Sequence, residues 1–110
     1  MLTEKALVSD VQLTNATVVY YTTSGKVRTV IMQATICNTT GGSVNLTLYL
    51  CGPGIGPGAA NTLFAALPIA AGQTLSLAQM INHVLEPGGS TIQALGPNLS
   101  FRVSGYEKPA

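Results

Sequence analysis

The chain has 110 residues; 46% are hydrophobic and only 8% charged, and its five basic and four acidic side chains leave a formal charge of +1. That length makes one domain, and roughly two-thirds of the unfolded surface can be buried in a single core at this size. Ordinary soluble domains carry about 25% charged residues; the polar positions here are filled instead by Thr, Ser, Asn and Gln. Lys5, Lys26, Arg28, Arg102 and Lys108 are scattered and form no basic stripe, which argues against nucleic acid as a partner. The longest apolar stretch, residues 62–71, is too short for a membrane span and contains Pro68. A surface with so little charge repels its neighbours weakly, and we expect much of it to meet other protein.

Residues 1–10 carry Glu4 and Lys5 early and lack the apolar core of a secretory signal. They read either as an arm within residues 1–12 or as a frayed terminus. A first strand is expected over 16–22, where β-branched and aromatic residues dominate, followed by a tight turn at Ser24-Gly25-Lys26. Two strands then stand out over 27–38 and 43–51. Val30, Met32, Ala34 and Ile36 share one parity, as do Val44, Leu46, Leu48 and Leu50, and Thr39-Thr40-Gly41-Gly42 lies between the runs. Successive side chains of a strand point to opposite faces, so this is a half-buried hairpin with one wet face. The first run, at about 12 residues, is long enough to bend or carry a bulge.

Residues 52–58, Gly-Pro-Gly-Ile-Gly-Pro-Gly, cannot sit inside a sheet and lack the Lys-Ser/Thr of a phosphate loop. They read as a surface loop, exposed for contact. Further strands are expected over 63–69, 74–77, 90–95 and 99–106, with Pro68 marking an edge and Leu99, Phe101 and Val103 facing inward. Leu77, Met80, Ile81, Val84 and Leu85 share a helical face, which predicts a short helical turn over 77–85 ended by Pro87-Gly88-Gly89. The sum is an all-β chain: a single antiparallel β-sandwich, jelly-roll-like, of about seven strands and one helical turn.

Cys37 and Cys51 both fall on the polar parity. If residues 39–42 turn a hairpin, the sulfurs lie about six residues apart along the ladder, near 20 Å at ~3.4 Å per residue. A disulfide needs Cα atoms within ~7 Å, so free thiols are expected. These two cysteines and His83 fall short of a zinc donor set. His83 has no Ser or Cys nucleophile at a motif spacing, and Glu4, Asp10, Glu86 and Glu107 offer neither the flanking pair of a glycosidase nor an acidic cluster for calcium. No cofactor and no catalytic residue is expected. The triplets at Asn15, Asn38, Asn45 and Asn98 match glycosylation acceptors but arise freely in a chain rich in Asn and Thr.

The candidate functional residues are therefore contact residues. Tyr49 lies on the wet parity with Thr47 and Asn45, and an amphipathic ring suits an interface. Ile55 and Pro57 stand in the Gly/Pro loop, and Leu2 and Leu7 in the arm, where strand addition to a neighbour is possible.

Five stretches carry a resemblance: Ala16-Thr-Val-Val-Tyr20, residues 36–50 from Ile36-Cys-Asn-Thr-Thr-Gly-Gly to Leu50, Ala60-Asn-Thr-Leu63, Leu85-Glu-Pro-Gly-Gly-Ser-Thr-Ile-Gln-Ala94 and Val103-Ser-Gly-Tyr-Glu107. Together they resemble small structural proteins of tailed bacteriophages, with the 52–58 loop fitting least well. The resemblance implies a non-enzymatic virion component assembled in the bacterial cytoplasm. Its first form is a capsid decoration, or cement, protein that bridges major capsid protein or other virion proteins as a homotrimer or other homo-oligomer. Its second form is a tail, collar or fibre-associated module, including a host-binding tip, where a flat Thr/Asn/Tyr surface can bind saccharides.

Overall fold

The computed structural model describes residues 3–109 and is a sandwich of two antiparallel sheets. Its nine strands among those residues are β1 (Thr3–Gln12), β2 (Val18–Thr22), β3 (Val27–Asn38), β4 (Val44–Cys51), β5 (Thr62–Ile69), β6 (Thr74–Ser76), β7 (Val84–Leu85), β8 (Thr91–Leu95) and β9 (Leu99–Pro109). One sheet has the order β1-β9-β3-β6, with β7 also pairing β3; the other has the order β2-β8-β4-β5. The two strands beyond the expected seven are β1 and the two-residue β7.

The chain changes sheet at six of its eight connections, and buried polar side chains that a hairpin would not need hold several of these corners. Asn38 is the clearest case. Its side-chain amide donates to the carbonyls of Gly42 (2.8 Å) and Ile69 (2.9 Å), and its Oδ1 accepts from the Thr40 N–H (2.9 Å) and hydroxyl (2.7 Å). Its own N–H and C=O bond to Gln73 and Gly72. One fully buried side chain thus fixes the 39–43 and 70–73 corners together, with every polar group satisfied. The expected 27–51 hairpin is therefore a crossover: β3 and β4 lie in different sheets. Thr23 plays the same part between β2 and β3. Its Oγ1 accepts from the N–H groups of Gly89 and Ser90 and donates to the Glu86 carbonyl. Gly88 and Gly89 take φ values of 98° and 113° there, a conformation that side-chain-bearing residues rarely adopt.

A bulge reverses the parity of β3. The ladder to β9 shifts between Ile31 and Gln33, leaving Met32 unpaired. Thr29 and Ile31 face the core before the bulge, and Ala34, Ile36 and Asn38 after it. Met32, expected inside, is 47% exposed, while Ile31, expected on the wet face, is fully buried. The core is closed by Leu99, Phe101 and Val103 of β9 against Leu46, Leu48, Phe64, Ile69, Ile92 and Ala94 of the other sheet. Burying each large side chain contributes on the order of 1.5–3 kcal/mol. Tyr20 packs edge-on against Phe101, with centroids 6.4 Å apart. In place of the helical turn over 77–85 there is one 3-10 turn at Ala78–Met80 followed by β7, with Leu77, Met80 and Leu85 buried and Val84 turned out.

β1 corrects a further expectation. Residues 3–12 form neither an arm nor a frayed end but an edge strand paired along β9. Where β9 passes the start of β3 the backbones approach so closely that a Cβ on Gly105 would stand 2.3 Å from the Val30 carbonyl oxygen.

Candidate docking surface

The ladder between β4 and β8 runs without a register shift from Thr47↔Leu95 to Cys51↔Thr91. Alternation along it sends Leu46, Leu48, Leu50, Ile92 and Ala94 inward, and Thr47, Tyr49, Cys51, Thr91, Gln93 and Leu95 to the outer face. Tyr49 pairs with Gln93 on one side and Thr62 on the other, and Gln93 pairs with Val19. Val19, Gln93, Tyr49 and Thr62 thus form one row across all four strands. Tyr49 is half-buried, and its hydroxyl bonds to no other described residue. Gln93 is held flat by bonds from its amide to Thr91 Oγ1 (3.0 Å) and towards Cys51 Sγ (3.7 Å), so the floor of the face is polar and already ordered.

The structure gathers the other sequence candidates unevenly. Asn45 is exposed at the start of β4, and Ile55, 60% exposed, and Pro57 stand in the loop that joins β4 to β5. Thr47 shares the face with Tyr49, but its Oγ1 is engaged by the Ala66 N–H (3.1 Å), where the β5 backbone takes a positive φ of 52°. Leu7 is not a contact residue: it is 7% exposed within the core cluster. The register shift between Ala6 and Val8 turns Leu7 and Val8 both inward, which an alternating reading of the N-terminal residues does not provide. Leu2 lies outside the described residues. Val19, 47% exposed, belongs to the face and was not singled out from the sequence. The signal was the adjacent pair Val18-Val19, which alternation cannot bury on one side.

Charge separates this face from the rest. Residues 29–85 contain no Lys, Arg, Asp or Glu, and neither do β2 and β8, so the whole four-stranded sheet is uncharged. The charged residues sit on β1 (Glu4, Lys5, Asp10), β3 (Arg28) and β9 (Arg102, Glu107, Lys108), with Lys26 and Glu86 in the adjoining corners. Three ion pairs occur among the described residues: Lys5–Glu107 (3.6 Å), Arg28–Glu86 (3.2 Å) and Arg102–Asp10 (3.4 Å). Glu107 also accepts from the Tyr21 hydroxyl (2.5 Å), whose second neighbour is Thr29 Oγ1 (2.7 Å). Burial, reinforced by the Glu107 carboxylate, pushes the Tyr21 phenol up to about 12.

Comparisons with protein-family models, curated proteins and solved structures find no match. What the face can do must therefore be read from its own chemistry. Glu86 and Ser90, beside the Thr23 corner, are committed to structure. The Ser90 hydroxyl donates to the Glu86 carbonyl (2.6 Å), and the Glu86 carboxylate receives Arg28 Nε. Among the described residues no three of His, Cys, Asp and Glu come together. Cys37 and Cys51 are free, for a different reason than a hairpin would give: they stand in different sheets. Cys51, expected on a wet face, does point outward but is only 1% exposed. Cys37 faces out from β3 and accepts from the Thr74 hydroxyl (3.2 Å), beside a depression of about 500 Å³ that Arg102, Asp10 and Ser100 also line.

Proposed function

We propose that this chain is a non-enzymatic structural protein of a tailed-phage virion, seated on the head shell through the outer face of its four-stranded sheet and bridging neighbouring major capsid subunits. The observation that carries the reading is the complete absence of charge from that sheet. Burying an unpaired charge costs several kcal/mol, so an interface core is depleted of charged residues and enriched in aromatic ones. Here a row of Val19, Gln93, Tyr49 and Thr62 can be desolvated with no charge to neutralise. The resemblance of residues 16–20, 36–50 and 85–94 to small phage structural proteins supplies the class of partner. Each contact can be weak, because many copies on a symmetric shell act together.

The test is binding to purified empty heads. Tyr49→Lys is expected to abolish co-sedimentation with the heads, whereas Ser104→Lys, on the outer face of the charged sheet, leaves it intact. Equal loss in both variants, or no binding by the native chain, contradicts the reading. Binding of the isolated protein to host cells in place of heads moves it to a tail or fibre tip.

A further inference from the structure

A two-sheet sandwich of this topology has four open edges, and natural proteins blunt such edges with charge, proline, bulges or shortness. Three of the four are blunted here. β1 carries Glu4, Lys5 and Asp10, two register shifts, and a positive φ of 54° at Asp10. β5 carries Pro68 and the positive-φ Ala66. The edge beside β3 is cut into the three-residue β6 and the two-residue β7 by a 3-10 turn.

The fourth edge, β2, has none of charge, proline or glycine anywhere in residues 11–24. Among the described residues its main chain pairs with β8 alone. Its one irregularity, at Tyr20, accompanies the packing of that ring on Phe101 and leaves Val18 (39%) and Val19 (47%) exposed. A β-branched, uncharged edge interrupted by one irregularity only is a template for another strand.

We propose that this edge pairs antiparallel with β2 of a second copy of the chain, joining the two four-stranded sheets into one continuous sheet. Three features select a second copy as the occupant. Any antiparallel self-pairing within 14–24 sets hydroxyl, amide and apolar side chains opposite one another, so no like charges meet. A chain of net charge +1 repels its own copy very little. The merged sheet also carries the row of Val19, Gln93, Tyr49 and Thr62 across both copies, doubling the uncharged face. Five residues of strand pairing bury less than a standard interface, so the dimer is weak and forms in proportion to concentration. This inference goes beyond head binding and does not require it.

Sedimentation velocity over a concentration series, paired with amide hydrogen exchange on the same samples, tests it. The expected result is a twofold rise in mass towards millimolar concentration, with protection rising in step at residues 18–22. Val19→Lys, at a side chain that is already exposed, should weaken association by about tenfold or more with an unchanged melting temperature. A chain that stays monomeric throughout overturns the proposal. So does a dimer or trimer whose protection falls outside 18–22, or one that Val19→Lys leaves intact. The exchange readout uses the native chain and stands whether or not the variant folds. A native chain that stays monomeric yet binds empty heads would remove this inference and leave the docking face in place.

Discussion

On the five-stranded sheet, β1, β3 and β9 hold Glu4, Lys5, Asp10, Arg28, Arg102, Glu107 and Lys108; on the four-stranded sheet, β2, β4, β5 and β8 hold no charge at all. Both sheets supply the same kind of inner face, with Ile31, Ile36 and Val103 on one side of the core and Leu46, Leu48 and Ile92 on the other. Core formation does not account for most of the difference, since Glu107 alone of these charges stands on the inward parity beside Thr29, where Tyr21 of the other sheet reaches it. On the proposed function, the difference concerns what each outer face meets. Arg28–Glu86 and Arg102–Asp10 are exposed pairs, which add little stability, whereas Glu107 pairs with Lys5 and also accepts from Tyr21 of the other sheet. The exposed pairs keep one face hydrated. The uncharged sheet has no such requirement, and its face can be covered at low desolvation cost.

The largest effect that separates the sheets is expected at Gly105 on the charged sheet. A methyl there would collide with the Val30 carbonyl, which is backbone and cannot swing aside. Gly105→Ala should cost about 4 kcal/mol or more, the range that marks a specific steric failure, measured by urea unfolding. A loss below about 1 kcal/mol would mean that β3 and β9 separate freely there. The next effect lies at the joint between the sheets. Asn38→Ala removes four bonds, of which the one to the Ile69 carbonyl is fully buried while the Gly42 carbonyl keeps the Thr40 hydroxyl, and should cost about 3 kcal/mol, the upper end for one buried group left unpaired. An unchanged midpoint would show that the corners hold without it.

The smallest effect is electrostatic and lies where Tyr21 of the uncharged sheet reaches Glu107 of the charged one. A phenol whose folded pKa is raised from 10.0 to about 12 favours the neutral form. Its contribution is present in full below about pH 10 and fades as the pH rises towards 12. The stability difference between the native chain and Tyr21→Phe should therefore shrink across that window in chemical denaturation. A constant difference would place the titration elsewhere.

Much of this architecture is legible in the sequence where alternation is local and unbroken. β4 and β9 show it: Leu46 and Leu48, then Leu99, Phe101 and Val103, are buried as their parity required. The reading fails where one residue changes the phase. Met32 is unpaired in a bulge, so Ile31 and Met32 exchange faces. In β1 a register shift buries Leu7 and Val8 together, and a strand with two shifts has no period to detect. Asn38-Thr39-Thr40-Gly41-Gly42 reads as a hairpin turn because the side-chain bonds that make it a crossover involve Ile69, distant in sequence. The face around Tyr49 was partly legible, since the wet parity of β4 was visible. Val19 and Gln93 join it only through pairing with β8, which no local pattern encodes.

The central proposal is that the uncharged face is the one a partner covers, as on a phage head. Hydroxyl-radical footprinting of the protein free and bound to empty heads tests it directly, because each outer face carries its own reporters. Tyr49, Leu95 and Ile55 mark the uncharged sheet and its loop; Met32, Tyr106 and Val84 mark the charged one. The account predicts that binding suppresses labelling of the first set and spares the second. Suppression at Met32, Tyr106 and Val84 with Tyr49 still labelled would contradict it.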